Sequence, residues 1–251
     1  MKITFLGTNG WYATETGNTP CILLDTNDYY IILDAGDGIY KLDRYIKTEK
    51  PIYLFLSHFH LEHIFGVHIL DKFKFKQGIR IYGKLGVKKA IDTIANKPFT
   101  HSWNDLSYKI SIEEVQEGEH DVPFPYECRL LPHGDPSMGY RLNLDNKVIT
   151  YCTDTGPHKD VLKLAEGADV FISECAFKPR QKTDTNWGIN LHMNPESAAR
   201  IAKNAEVKQL ILTHFDADNY KTKEERKEAE AVARKIFENT IAAFDGMELE
   251  I

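Results

Sequence analysis

The stretch SHFHLEHIFG, residues 57–66, places three imidazoles and one carboxylate within six positions. These side chains belong to His58, His60, Glu62 and His63. The apolar run before them, residues 52–56, predicts a short buried strand, and a helical pattern begins near Glu62. At such a strand-to-helix turn, side chains one, two and three positions apart can converge on one point. Neutral imidazole nitrogens and carboxylate oxygens ligate Zn²⁺ and similar ions, so the stretch predicts a metal site.

Length and composition indicate what kind of protein carries this predicted site. The chain has 251 residues, of which 42% are apolar, and this predicts a soluble globular protein with one sizeable core. A net charge of −6 argues against a general affinity for long nucleic acid. No apolar run approaches the ~20 residues that span a bilayer, and residues 1–6 lack a signal-peptide pattern. Four dispersed cysteines without a Cys-x-x-Cys pair suggest reduced thiols, so we expect a cytoplasmic protein without a membrane partner.

Strand and helix patterns alternate along the chain without a linker or a low-complexity segment. Strands are predicted at residues 2–6, 20–25, 29–34, 52–56, 79–82, 108–115, 126–131, 139–144, 147–151, 169–173, 209–213 and, closing an edge, 248–251. Helices are predicted up to residue 46, after the histidine cluster, and at 85–95, 195–205 and 221–238. Two strand-rich and helix-bearing halves therefore predict an α/β (α+β) fold, with two β-layers flanked by helices in one domain.

Three further ligand candidates follow apolar strands. His133, Asp154 and His214 each come before a Gly- or Asp-bearing turn. Asp135 and Asp216 are weaker candidates because they lie past the strand end. Any one of these residues alone is more simply interpreted as a turn residue or a helix cap. That interpretation does not account for the position that all three share, after an apolar strand and before a turn. It also does not account for four potential ligands within the six positions of the histidine cluster.

In this order and context, the motifs resemble those of the metallo-β-lactamase-fold hydrolases, most closely the ribonuclease Z-like and small phosphodiesterase branch. The resemblance also includes Phe-Leu-Gly-Thr at residues 5–8 and Ile-Tyr-Gly at residues 81–83. It implies an αβ/βα four-layer sandwich that forms a single domain over residues 1–251. It also implies two divalent metal ions, with Zn²⁺ favoured and Mn²⁺ or Fe²⁺ as alternatives. The implied ligands are His58, His60 and His133 for one ion, Glu62, His63 and His214 for the other, and Asp154 as a bridge.

Glu62 departs from the family pattern, which carries Asp at this position. The additional methylene moves the carboxylate out by about one carbon–carbon bond, ~1.5 Å. Glutamate can ligate zinc as aspartate does. The second ion could nevertheless be held in a distorted or weaker site, so a two-metal site and a one-metal site both stay open.

The resemblance implies attack on a phosphodiester by hydroxide bound between two metal ions, with Glu62 as a candidate for orienting that nucleophile. It further implies His192 as the general acid for the leaving group and Glu174 as the carboxylate that orients it. Both surrounding motifs, Ser-Glu-Cys-Ala at residues 173–176 and His-Met-Asn at 192–194, depart from the usual family residues. The alternative is that His192 only caps the helix predicted at residue 195.

The interval between His133 and Asp154 bears on the substrate. Twenty residues separate them, and the predicted hairpin 139–151 takes up most of this interval. We therefore expect no exosite arm of the kind that tRNA-processing members insert here. This favours a small cyclic or nucleotide-like phosphodiester over precursor tRNA. The loop at residues 178–190 carries Lys178, Arg180, Lys182 and Trp187 and could contact phosphate and base, or could be an ordinary solvated loop.

Functions from different classes stay open alongside the phosphodiesterase. A tRNA 3′-processing endonuclease would use RNA as substrate. A lactone, thioester or β-lactam hydrolase on the same scaffold would not need His192. A non-catalytic binding protein is conceivable because of Glu62. A homodimer is compatible with each of these.

Overall fold

The computed structural model describes residues 1–121, 123–183 and 192–251. Trp187, and with it the larger part of the loop predicted to contact a base, lies outside the described residues. The described residues form two compact units, which we call unit 1 (1–8, 17–116 and 245–251) and unit 2 (9–16 and 117–244). Over the described ranges, no helix is both long and apolar enough to cross a bilayer.

The strands are β1 (Lys2–Gly7), β2 (Asn9–Gly10), β3 (Cys21–Asp25), β4 (Tyr30–Leu33), β5 (Ile52–Phe55), β6 (Ile79–Gly83), β7 (Ile110–Glu114), β8 (Gly118–His120), β9 (Tyr126–Leu131), β10 (Ser137–Leu144), β11 (Lys147–Cys152), β12 (Val170–Glu174), β13 (Gln209–Thr213), β14 (Phe215–Asp216), β15 (Thr240–Ala242) and β16 (Glu248–Glu250). The α-helices are α1 (Leu61–Ile64), α2 (Val87–Ile94), α3 (Lys159–Ala165), α4 (Pro195–Asn204) and α5 (Lys223–Arg234). Segments of 3₁₀ helix cover Asp37–Arg44, Phe65–Lys72 and Trp103–Asp105.

Unit 1 contains a seven-stranded mixed sheet in the order β16-β1-β3-β4-β5-β6-β7. The strands from β4 to β7 are parallel, and β16 pairs antiparallel with β1, which confirms the predicted edge strand. All four residues of β5 are buried, as expected for a central parallel strand that is covered on both faces. The core cluster of unit 1 combines these strands with apolar side chains of α2 and of the first two 3₁₀ segments.

Unit 2 contains a second seven-stranded sheet, in the order β15-β13-β12-β11-β10-β9-β8. The strands β8 to β11 are antiparallel, and β11, β12, β13 and β15 are parallel. Its core cluster is rich in alanine from α4 and α5, and small side chains let helices approach closely. Two mixed sheets flanked by helices confirm the predicted fold class.

Some local elements differ from the sequence prediction. The helix predicted up to residue 46 is a 3₁₀ segment, Asp37–Arg44, and Ile39 N–H donates to the Gly36 carbonyl three residues before it (3.1 Å). The sequence did not reveal α3, β8 or β15, because segments of seven, three and three residues carry too little periodicity.

The parallel strands place polar residues at their carboxyl ends. In unit 1, Asp34 follows β4 and His58 lies just beyond β5. In unit 2, Asp154 lies just beyond β11, Glu174 ends β12 and His214 follows β13. Neighbouring parallel strands bring their carboxyl ends to one edge of a sheet, where open α/β folds bind ligands. Each unit therefore collects chemically active side chains at one sheet edge.

Candidate metal centre and catalytic pair

Unit 1 brings together the histidine cluster that the sequence predicts. The rings of His58 and His60 lie 4.5 Å apart between centroids, and those of His58 and His63 lie 4.3 Å apart. Candidate ligand atoms of His58 and His60 are within 4.8 Å of each other, as are those of Glu62 and His63. His58 and His63 are fully buried, whereas His60, at the N-cap of α1, is exposed. This spacing suits imidazole and carboxylate groups that ligate metal ions.

A buried aspartate that the sequence pattern did not single out contacts His63 of this cluster. Asp34 accepts hydrogen bonds from the Ser57 backbone N–H (2.7 Å) and the Ser57 hydroxyl (2.9 Å). Its carboxylate also lies 2.7 Å from Nδ1 of His63. With Nδ1–H donating to the carboxylate, Nε2 of His63 carries the lone pair that a metal needs. The signal in the sequence was the position of Asp34 directly after a strand, but the glycines that follow it indicated only a turn.

The turn after Asp34 packs directly against the histidine motif. Ala35 N–H donates to the His63 carbonyl, and Gly66 N–H donates to the Ala35 carbonyl, both at 2.7 Å. A side chain at Gly36 would collide with the Glu62 carbonyl oxygen, so only glycine permits this approach. The backbone of α1 is therefore fixed by the turn as well as by β5.

Replacing Asp34 with asparagine should weaken metal binding by about 10–100-fold, the usual cost of removing an outer partner of a ligating histidine. The amide keeps the size of the side chain but removes the negative charge that fixes the His63 tautomer. Titration against a fluorescent chelator measures the effect, with Asp37→Asn in the same turn as the matched control. An unchanged affinity in a folded Asp34→Asn protein would contradict the orienting role.

Unit 2 brings together the three ligand candidates that follow its strands. Asp154 Oδ1 lies 3.6 Å from His133 Nε2, and Asp154 Oδ2 lies 3.2 Å from His214 Nε2. The three side chains are at most 4% exposed. Thr153 donates its hydroxyl to Asp154 (2.9 Å) and helps to hold the carboxylate. A buried carboxylate between two imidazoles is a donor set that suits divalent transition-metal ions.

Glu174 and His192 form a largely buried pair within the same unit. Glu174 is fully buried and accepts hydrogen bonds from the Thr155 backbone N–H and from His192 Nδ1, the latter at 2.9 and 3.1 Å. The His192 ring lies 5.2 Å from the His133 ring and 6.5 Å from the His214 ring, between centroids. The imidazole therefore adjoins two of the ligand candidates while the carboxylate fixes its orientation.

The electrostatic environment favours the protonated form of His192. Burial lowers the pKa of the imidazole, but the charge and hydrogen bond of Glu174, followed by the charges of Asp154 and Asp216, outweigh burial. Together they raise the pKa to about 9. Metal ions ligated by Asp154 would offset part of that increase.

The alternative in which His192 caps the following helix is wrong. The N-cap of α4 is Asn194, whose side-chain oxygen accepts a hydrogen bond from Ser197 N–H (2.8 Å). The Ser197 hydroxyl in turn accepts from Asn194 N–H (3.0 Å), which completes a capping box. The helix terminus is satisfied by these two residues, and His192 is paired with Glu174 instead.

Asp216, one of the two weaker ligand candidates, and Lys178, a predicted phosphate contact, take part in local interactions. Asp216 accepts hydrogen bonds from the backbone N–H groups of Asp218 (2.9 Å) and Asn219 (2.8 Å), which closes a turn. Lys178, predicted as a phosphate contact, forms an ion pair with Glu225 at 2.7 Å and lies over the Tyr220 ring. The Lys178 ammonium therefore serves local structure at the start of its loop.

Comparison with known proteins places this geometry in a family. Residues 29–215 match the model of the Beta-lactamase superfamily domain. A ribonuclease Z of Bacillus velezensis is 28% identical over 313 residues, covering 100% of this chain and 99% of the relative. The metallo-β-lactamase fold protein YhfI of Bacillus subtilis has a TM-score of 0.80 and 25% identity over 100% of this chain and 99% of that one.

A human structure supports the same fold. The short form of human tRNase Z superposes with a TM-score of 0.72 at 23% identity, over 100% of this chain and 99% of that one. The imidazole and carboxylate clusters at the sheet edges are groups that could hold divalent metal ions. The chain therefore belongs to the beta-lactamase superfamily, and it is a metal-dependent, ribonuclease Z-like hydrolase with the metallo-β-lactamase fold.

Proposed function

We propose that this hydrolase is a phosphodiesterase that acts on a small, cyclic or nucleotide-like phosphodiester. The observation that carries the proposal is the Glu174–His192 pair, whose imidazole adjoins His133 and His214. A lactone or thioester hydrolase has less need of such a pair. Cleaving an alkyl phosphodiester expels a strongly basic alkoxide, and a positioned imidazolium can protonate it.

The proposal includes two divalent metal ions, Zn²⁺ first and Mn²⁺ or Fe²⁺ as alternatives. His58, His60 and His133 would ligate one ion, Glu62, His63 and His214 would ligate the other, and Asp154 would bridge them. When bound, such ions lower the pKa of a coordinated water and offset the charge that grows on the phosphoryl oxygens. The donor sets of the two units suit these ions because they consist of imidazoles and carboxylates only.

The protein groups have distinct tasks in this reaction. Glu174 holds His192 by Nδ1, so Nε2 is the ring atom that can deliver a proton to the leaving oxygen. Asp34 fixes His63 through Nδ1 in the same way and keeps its Nε2 available as a ligand. Glu62 is only partly buried, which leaves its carboxylate accessible for orienting the attacking nucleophile.

Substrate size follows from the interval between His133 and Asp154. This interval holds β10 and β11, which are joined by the turn Asp145-Asn146, and both turn residues have positive φ. The alignment with the ribonuclease Z spans 313 positions against the 251 residues of this chain, so at least 62 positions lack a counterpart here. Both observations support a chain without an exosite arm and a substrate smaller than tRNA.

The second candidate is a tRNA 3′-processing endonuclease, which the identity to a ribonuclease Z along the whole chain favours. We expect efficient turnover of small phosphodiesters and little or no cleavage of precursor tRNA, because the hairpin of β10 and β11 takes up most of the described interval between His133 and Asp154, where an arm would be inserted. The test compares bis-p-nitrophenyl phosphate, cyclic and linear dinucleotides and precursor tRNA under one set of metal conditions, with an authentic ribonuclease Z as positive control. Precise cleavage of precursor tRNA at its 3′ end would favour the second candidate.

The remaining alternatives and predictions can be tested together with this proposal. The same panel, extended to a lactone, a thioester and a β-lactam, tests the alternative hydrolase activities. A metal-loaded protein that turns over none of these compounds would favour a binding role. A cytoplasmic location and a homodimer stay predictions, which fractionation and sedimentation analysis would check.

A further inference from the structure

Two aromatic side chains on the surface of unit 2 stand next to each other. Trp11 is 61% exposed and Tyr12 is 42% exposed, and their rings lie edge to face with centroids 5.2 Å apart. Trp11 has a φ of 68°, a left-handed conformation that is uncommon for a bulky residue. A backbone in this state persists only where its surroundings hold it, and such positions concentrate at binding sites.

The segment that carries these aromatics is attached to a proposed metal ligand. The strand β2 pairs in parallel with β14, with Asn9 opposite Phe215 and Gly10 opposite Asp216. Gly10 lies against the His214 imidazole, and a Cβ atom there would be 2.7 Å from His214 Cε1. Gly10 is therefore the residue between Trp11 and the metal-ligand histidine.

A buried polar network holds the segment in place. The Arg226 guanidinium, in a residue that is 2% exposed, donates hydrogen bonds to Asn9 Oδ1 and to the Thr16 hydroxyl, the latter at 3.0 Å. The Asn9 amide donates to the Tyr12 carbonyl at 3.1 Å. Tyr12 N–H donates to the Gly10 carbonyl at 2.9 Å, which tightens the turn around Trp11. The two rings are therefore displayed on a preorganised turn.

We propose that the Trp11 ring, with the Tyr12 ring packed edge to face against it, is a stacking platform for the nucleobase of the phosphodiester that is hydrolysed beside His214. The inference rests on the proposed phosphodiesterase function and adds a specificity determinant to it. Aromatic side chains bind bases through their π-faces without selecting one base, because every base has a flat π-face while its polar edges can stay in water. The turn at residues 10–12 carries no charged side chain, so the phosphate would be bound by the proposed metal site and not by this turn.

Two substrates with the same leaving group isolate the platform. Thymidine 5′-(p-nitrophenyl phosphate) and ethyl p-nitrophenyl phosphate both release p-nitrophenolate, and only the first carries a base. Trp11→Ala should lower kcat/KM for the thymidine ester by about 10-fold, mainly through KM, and leave the ethyl ester within about twofold. Trp11→Phe, which keeps an aromatic face, should retain most of the activity.

The outcomes separate this inference from the function on which it rests. If wild type hydrolyses neither ester, the phosphodiesterase proposal fails. If it hydrolyses both and Trp11→Ala changes neither, or changes both equally, the platform is refuted while the function stands. Sedimentation analysis could also show that Trp11→Ala has a lower molecular mass in solution than wild type. The two aromatic residues would then belong to a contact between copies of this chain, and the platform would be refuted.

Fluorescence provides a readout that does not depend on turnover. Thymidine 5′-monophosphate should quench the tryptophan emission of the metal-loaded protein, whereas ribose 5-phosphate, which has no base, should not. Trp11→Phe should abolish the quenching, and Trp103→Phe, the same substitution at another tryptophan, should preserve it. Quenching that persists undiminished in Trp11→Phe would overturn the inference.

Discussion

Replacing His192 with alanine should slow the hydrolysis of an alkyl phosphodiester by about 10²–10⁴-fold, the usual contribution of general acid catalysis. Thymidine 5′-methyl phosphate must expel an alkoxide, either methoxide or the thymidine 5′-alkoxide, and either needs a proton in the transition state. Thymidine 5′-(p-nitrophenyl phosphate) releases p-nitrophenolate readily without one, so its rate should fall far less. The two esters share the thymidine 5′-phosphate and differ in the second ester group, so the change in the ratio of their kcat/KM values from wild type to His192→Ala reports proton delivery.

Glu174→Gln should show the same dependence on the leaving group in weaker form. The amide preserves the hydrogen bond to Nδ1 but removes the charge that raises the pKa of His192. Elemental analysis of both variants accompanies the kinetics, because metal content should stay at the wild-type level. Equal losses on both esters would mean that His192 binds substrate or supports its loop. Loss of metal would move His192 into the ligand set.

Replacing His60 with alanine should remove most of the metal, and activity with it, while the protein stays folded. Wild type should carry close to two transition-metal ions per chain, as expected of a dinuclear site. The His60 side chain is exposed, so its loss costs little packing energy, unlike the loss of the buried His58 or His63. The expected fall in turnover exceeds the roughly 10–100-fold cost of losing an outer partner of a ligand.

Metal analysis after reconstitution with zinc or manganese, together with circular dichroism, tests this expectation. His101→Ala, at an exposed histidine outside the predicted ligand set, is the matched control and should keep its metal. A wild-type protein with no bound metal would refute the site. If one ion binds tightly and the other weakly, Glu62→Asp should tighten the weaker ion, since the shorter side chain restores the usual family ligand.

The sequence predicted the parts of the candidate site in which potential metal ligands lie close together in the chain or directly after a strand. Four potential ligands within residues 58–63 are difficult to account for without a metal ion, and the strand-to-helix turn that orients them is a local feature. His133, Asp154 and His214 could be nominated because each follows an apolar strand. Parallel pairing from β11 to β13 then brings two of these strand ends to one edge of the sheet.

Other parts depend on long-range contacts that no local pattern reveals. Asp34 lies 23 residues before Ser57 in the chain, and nothing in its turn indicates that its carboxylate reaches a histidine. The anchoring of Asn9 by Arg226 spans 217 positions, so the sequence of residues 9–16 indicated only an ordinary polar loop. The role of Gly10 likewise depends on the distant His214 imidazole.

The backbone is in the left-handed conformation at Asp34, Asp154 and His214. This conformation determines which substitutions random mutagenesis at these codons would recover. Nearly every replacement there both discards a functional group and keeps a conformation that L side chains resist, so folding and function fall together. Glycine is the exception, because it adopts this conformation without strain. A library sorted first by cellular abundance and then by hydrolysis would show glycine variants that are retained in the first selection and lost in the second. Such a result would show that the side chains at these three positions are needed for hydrolysis and not for folding.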